Sequence, residues 1–220
     1  MERRNFIKTT GTTSMLLSVG TVFPGFLATS CGRRKDADNK QVYFDQEIIT
    51  ICKADTDFPR HSEASIIELK DSTLLMAWQR FECSPFGSND QAPSTIALMN
   101  SSDGGRTWDN FRIVAERDEN SVNVYSPNFL RLKNGEILLL FLRYNQLMPD
   151  KPQLATAYTI RSRDEGKTFS TPVPVWQQEQ FAFSNSCMMR LSSGRVILPV
   201  QHTSGNLWSP SEKCHIRVFV

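Results

Sequence analysis

Cysteine is scarce in this sequence: there are five in 220 residues, and no two of them form a Cys-x-x-Cys pair. A structural zinc site of the usual spacing is therefore excluded. Cys52, Cys83, Cys187 and Cys214 are far apart and irregularly spaced. An oxidising compartment would permit two disulfides among them, but isolated buried thiols suit the spacing better. Histidine is scarcer still, at three. His61 and His202 are lone imidazoles, and neither a metal nor an organic cofactor is expected. An excess of one charge is also missing, since 25 Lys and Arg face 23 Asp and Glu for a net +2. With no basic cluster beyond the N-terminus, nucleic acid is excluded as the main partner. A long apolar run is lacking too. The one candidate, TTSMLLSVGTVFPGFLA, is short and broken by Pro24 and Gly25, too short for a comfortable bilayer span.

What the first residues do contain is an address. MERRNFIKTT sets paired arginines before the weakly apolar stretch, and the pattern over residues 1–31 looks like a twin-arginine export signal. It ends in LATSC, which resembles a lipoprotein cleavage site with Cys31 as the lipidated residue, although the usual leucine lies one place too early. Residues 32–41 read as a polar linker. The expected location is the bacterial envelope, whether periplasmic, lipid-anchored or extracellular, with membrane contact only through a lipid at Cys31.

From residue 42 the sequence repeats itself. SSDGGRTW (Ser101 to Trp108) returns as SRDEGKTF (Ser162 to Phe169), with the two aspartates 61 residues apart. Short apolar runs end at Leu69, Leu132 and Leu191, and each is followed by a polar turn (KDS, KNG, SSG) and a second apolar run. A period near sixty with strand-like runs predicts four antiparallel strands per unit, and repeated four-stranded units predict propeller blades. The copied motif then falls in the hairpin between the third and fourth strands. There Ser101, Asp103, Ser162 and Asp164 accept turn hydrogen bonds, Gly105 and Gly166 supply positive φ, and Trp108 and Phe169 bury apolar area. Thr107 and Thr168 complete the pattern. Turn chemistry accounts for both aspartates without a catalytic role.

These residues resemble a family. Ser-x-Asp-x-Gly-x-Thr-Trp/Phe is the Asp box of the sialidase (neuraminidase) superfamily, also called the BNR repeat, and the likeness spans about residues 42–220. It implies an all-β, six-bladed propeller, of which about two and a half blades fall within this chain. It also implies glycoside hydrolase chemistry on a terminal sugar of a glycan, with sialic acid as one candidate. Strand topology puts the Asp boxes at one end of the blades and the loops between second and third strands at the other. Arg60, His61, Glu63, Arg80 and Asp90 are the functional candidates at that second end.

Asp90 stands thirteen residues before Asp103, where sialidases carry their general acid/base, so the resemblance gives it proton donation; the alternative is a solvated Asx turn. Glu63 is a second carboxylate for the pair, or a solvent-facing strand residue. Arg60, His61 and Arg80 are candidate substrate contacts. Sialidases place an arginine of their carboxylate-binding set in an Arg-Ile-Pro segment; here Ser62 holds that position, with Arg60 two residues away. The nucleophile and remaining arginines of the family belong to later blades, so the isolated chain is expected to be inactive. The rival reading is a non-catalytic glycan- or protein-binding propeller at the cell surface. An unrelated β-sandwich would need both Asp boxes to be coincidences.

Overall fold

A computed structural model describes residues 48–85, 87, 89–145, 154–179, 181–184, 187–203 and 214–220. Residues 1–41, read above as an export signal and linker with Cys31 between them, lie outside the described residues. Among the described residues, twelve strands and no helix are assigned. The first sheet is a meander of β1 (Arg60–Glu68), β2 (Leu74–Phe81), β3 (Ser94–Ser101) and β4 (Asp109–Glu116). The second repeats it with β5 (Ser121–Arg131), β6 (Ile137–Asn145), β7 (Ala155–Ser162) and β8 (Val173–Glu179). The third sheet has its first strand broken into β9 (Phe181–Ala182) and β10 (Met189–Arg190), both paired with β11 (Val196–Thr203), which pairs in turn with β12 (Cys214–Phe219). Every pairing is antiparallel, as expected for consecutive strands joined by short turns.

The second sheet shows why its strands read as unbroken apolar runs. On β6, Leu139 and Phe141 face the first sheet, packing with Leu75, Ala77, Ile96 and Leu98. Leu140, Leu142 and Tyr144 face the third, packing with Trp176, Phe183, Leu198 and Val200. A strand covered on both faces alternates between two cores rather than between core and water. Burying each of these leucines contributes about 1.5–3 kcal/mol. The outer face of the first sheet holds Met76, Trp78 and Ala97, packed with Cys52, Met99, Trp108 and Ile113. Cys52, Cys83 and Cys187 carry free thiols, but none is buried and Cys83 is exposed, which corrects the expectation of buried thiols.

Adjacent sheets are also tied by a repeated polar contact. Ser65 and Asn128 each stand four residues before the leucine that ends the first apolar run. Ser65 Oγ accepts the backbone N–H of Phe129 at 3.0 Å, and Asn128 Oδ1 accepts that of Cys187 at 2.7 Å. One position in the repeat thus latches each sheet to the next.

The two Asp boxes are superimposable in their bonding. In each, the serine Oγ accepts the glycine N–H and donates to the aspartate, whose two oxygens take the threonine N–H and Oγ–H. These bonds, led by the threonine hydroxyl, hold Asp103 and Asp164 down to about 2. Every acceptor is used for the turn. Glu165, within the second box, accepts Arg131 and Lys70, so the first-to-second-strand turn of one sheet meets the Asp box of the next at a common end.

Candidate functional site

The opposite end is reached along β3, whose eight residues span about 26 Å. Strand β1 begins at Arg60, so Arg60, His61 and Glu63 belong to the strand itself. Between Ser62 and Ala64 its register with β2 shifts, and Glu63 sits in the bulge at φ 49°. A bulge re-aims its side chain, and here it turns Glu63 towards the second sheet, where Ser126 Oγ donates to its carboxylate at 2.8 Å. Ser126 occupies the matching bulge of β5, at φ 52°, and Pro127 beside it is placed where a ladder N–H is not required.

Asp90, in the loop between β2 and β3, accepts Arg60 Nη1 at 2.7 Å, and the Tyr125 hydroxyl also donates to its carboxylate. Its backbone oxygen accepts buried Asn123 at 2.7 Å, which fixes the loop against β5. Arg60 in turn lies over the Phe81 ring, 4.2 Å from its centroid. Tyr125 packs edge-to-face on Tyr144 with centroids 5.5 Å apart. Burial raises the Glu63 carboxyl above its ordinary value, outweighing the Ser126 bond, and the neighbouring Asp90 charge pushes the same way. Burial likewise raises the Tyr125 and Tyr144 phenols, with Glu63 and Asp90 adding to the effect.

Arg60, Glu63 and Asp90 are therefore brought together. His61 and Arg80 are not with them, which corrects the expectation of a single mouth. Strand alternation sends His61 to the outer side, where its Nδ1 accepts the Trp78 indole N–H at 3.1 Å and burial lowers its affinity for a proton. The Arg80 guanidinium stacks on Phe58 at 3.7 Å and Phe111 at 5.0 Å. Tyr125, Ser126, Tyr144 and Asn123 are the residues that sequence reasoning missed. A signal existed, because Ser126 lies 63 residues after Glu63, one repeat on.

Beside Glu63 opens a cavity of about 410 Å³ between the second and third sheets, lined by Tyr125, Ser126, Tyr144, Phe183, Val200 and Gln201 among others. A pocket of this size with aromatic walls and a few polar groups suits a small ligand. Among the described residues no cluster of His, Cys, Asp and Glu could hold a metal ion.

Consecutive antiparallel sheets stacked face to face, with Asp-box corners at one end and paired carboxylates at the other, define part of a β-propeller of the sialidase type. The profile of the BNR repeat-like domain matches residues 72–215, and the chain belongs to that family. Among solved structures it is similar to a protein of unknown function from Dyadobacter fermentans, with 21% identity and a TM-score of 0.59, covering 76% of this chain and 52% of that one. It is also similar to the Hadza microbial sialidase Hz136, at 14% identity and TM-score 0.58, over 74% of this chain and 35% of the other. The NanB sialidase of Streptococcus pneumoniae shares 8% identity at TM-score 0.50, with 79% and 46% covered. The chain thus spans about a third to a half of the proteins it resembles. No curated protein sequence matches it.

Proposed function

We propose that the chain forms the carboxylate-bearing part of an exported sialidase-like glycoside hydrolase that removes a terminal sugar from a glycan. One observation carries this reading. Two carboxylates from different elements, Glu63 and Asp90, meet beside a cavity at the end away from the Asp boxes, linked through Arg60 and Tyr125. Paired carboxylates are the usual equipment for glycoside cleavage, whereas sialidases use a Tyr nucleophile assisted by Glu; two structures of similar fold are sialidases. Residues 1–31 support export, and Cys31 is the proposed lipid attachment point.

The local chemistry divides the labour differently from the sequence reading, which gave proton donation to Asp90. Asp90 is committed as an acceptor to Arg60 and Tyr125. Glu63, half-buried and shifted towards its protonated form, is the better donor. In this scheme the Glu63 proton passes to the leaving glycosidic oxygen as the anomeric C–O bond breaks. The hydroxyl of a water then adds to the anomeric carbon, and the proton that water releases reprotonates the carboxylate. Asp90 supplies negative charge near the cationic sugar.

The test is turnover of aryl glycosides by the chain completed with the later blades, and by its variants, since the 220-residue chain alone is expected to be inactive. Glu63→Gln is expected to lower kcat by about 10²–10⁴ with sugar binding retained, the range for losing a general acid. Binding with no turnover in the parent would favour the second reading, a glycan-binding propeller. The Arg60–Asp90 pair is what supports that rival, since it leaves a single carboxyl uncommitted.

A further inference from the structure

The cavity beside Glu63 has a distinctive charge pattern. Its described lining contains no Lys, Arg or His, and Glu63 is its only carboxyl. Arg60, the cation that acts on Glu63, is held by Asp90 at 2.7 Å and seated on Phe81. A sugar bearing a carboxylate would enter next to the Glu63 carboxyl, with no basic group in that lining to compensate it. Taking an anion out of water without a partner is costly. An uncharged sugar meets no such barrier. Its C–H faces can lie against the Tyr125 and Tyr144 rings, and its hydroxyls can donate to Glu63 and exchange hydrogen bonds with Ser126 and Gln201.

Resting on the glycan reading above, we propose that this cavity takes a neutral sugar, held by Glu63 through its hydroxyls, and rejects sugars that carry a carboxylate. The selectivity comes from charge at one position, the ionised form of Glu63, whereas the protonated form is the one that serves in cleavage. Exchange of that charge should therefore exchange the preference, while a neutral isostere should weaken binding without inverting it.

The experiment is saturation-transfer NMR on the whole 220-residue chain at pH 7. The probes are methyl glycosides of neutral hexoses, 6-deoxyhexoses and pentoses, with the methyl glycoside of N-acetylneuraminic acid beside them. At least one neutral glycoside is expected to bind, at about the millimolar level typical of a single small sugar site, and at least about fivefold better than the acidic one. Glu63→Gln should weaken that neutral binding by about fivefold or more, the loss of a charge-assisted hydrogen bond. Glu63→Lys should admit the acidic glycoside. Circular dichroism of each variant reports folding, and the isostere serves if the lysine variant unfolds.

Three outcomes would overturn the proposal in different ways. Equal or tighter binding of the acidic glycoside, lost in Glu63→Gln, would sink the charge argument and leave the glycan reading standing. Neutral binding indifferent to both Glu63 variants would place the sugar elsewhere. Silence from every glycoside would remove the proposal and the glycan reading together.

Discussion

At the scale of single residues, the two ends of the blades respond to pH in opposite senses. Glu63 binds its proton more tightly folded than unfolded, because burial penalises the anion. Its contribution is therefore complete below the unfolded value of about 4.5 and is lost as pH rises through the higher folded value. Urea midpoints should show Glu63→Gln matching the parent near pH 4 and gaining on it at pH 7. Asp103 and Asp164 are held at about 2 from an ordinary 3.8, so their contribution is present above that ordinary value and disappears as pH falls towards 2. Asp103→Asn should lower the midpoint at pH 7 and make little difference at pH 2.

Glycines separate in the same way. Gly104 and Gly166 have φ of 72° and 78°, but a Cβ at Gly104 meets nothing within 4 Å, whereas one at Gly166 would overlap the buried Leu75 side chain. Gly104→Ala should cost about 1–2 kcal/mol, the left-handed penalty alone. Gly166→Ala should cost a further 1–3 kcal/mol or so of overpacking, read by denaturant titration. The Asp boxes were legible because their serine, aspartate and threonine side chains bond to neighbours in sequence. Tyr125 and Tyr144 were not, since an aromatic within an apolar run gives no sign of which of two faces it serves.

Among elements, the point of interest is how one sheet holds the next. Asn128 is fully buried and bonds Ser126 O, Ser184 O and the Cys187 N–H. Asn128→Ala leaves those groups to find new partners at a cost of roughly 1–3 kcal/mol. The expected signature is faster hydrogen exchange at the Cys187 amide with little change on β6; protection retained there would refute the latch. Strand order was readable from the apolar runs and their turns, and the Asp boxes lie in the hairpins between β3 and β4 and between β7 and β8, as the repeat predicts. Strands β1 and β5 extend upstream of their apolar runs, because the backbone ladder continues through polar residues such as His61, Ser121 and Asn123. The bulges at Glu63 and Ser126 leave no mark in composition. They are set by long-range packing of β1 against β5.

For the molecule as a whole, the three sheets are unequal. The second is covered on both faces, whereas the third exposes Met189, Ile216 and Val218, with Ile216 at 78% and Val218 at 53% accessible. A contiguous apolar face of this kind favours association. The chain is expected to self-associate as concentration rises, and Ile216→Lys with Val218→Lys to shift it towards monomer in sedimentation velocity. A monomer at all concentrations would contradict this. The fold class was readable at this scale because the sixty-residue period is a property of the whole chain. The division of charge between Arg60, Asp90 and Glu63 was not, because it depends on which of several neighbouring ionisable groups end up within reach of one another.

The matched kinks of the first two inner strands have a consequence for how such proteins diversify. Glu63 and Ser126 occupy equivalent sockets, each preset by the backbone to aim one side chain across the gap between neighbouring sheets. The scaffold holds the direction, and the residue placed there supplies the chemistry. Moving an acid, an alcohol or an amide from one socket to another would relocate reactivity around the ring while the surrounding strands stay as they are.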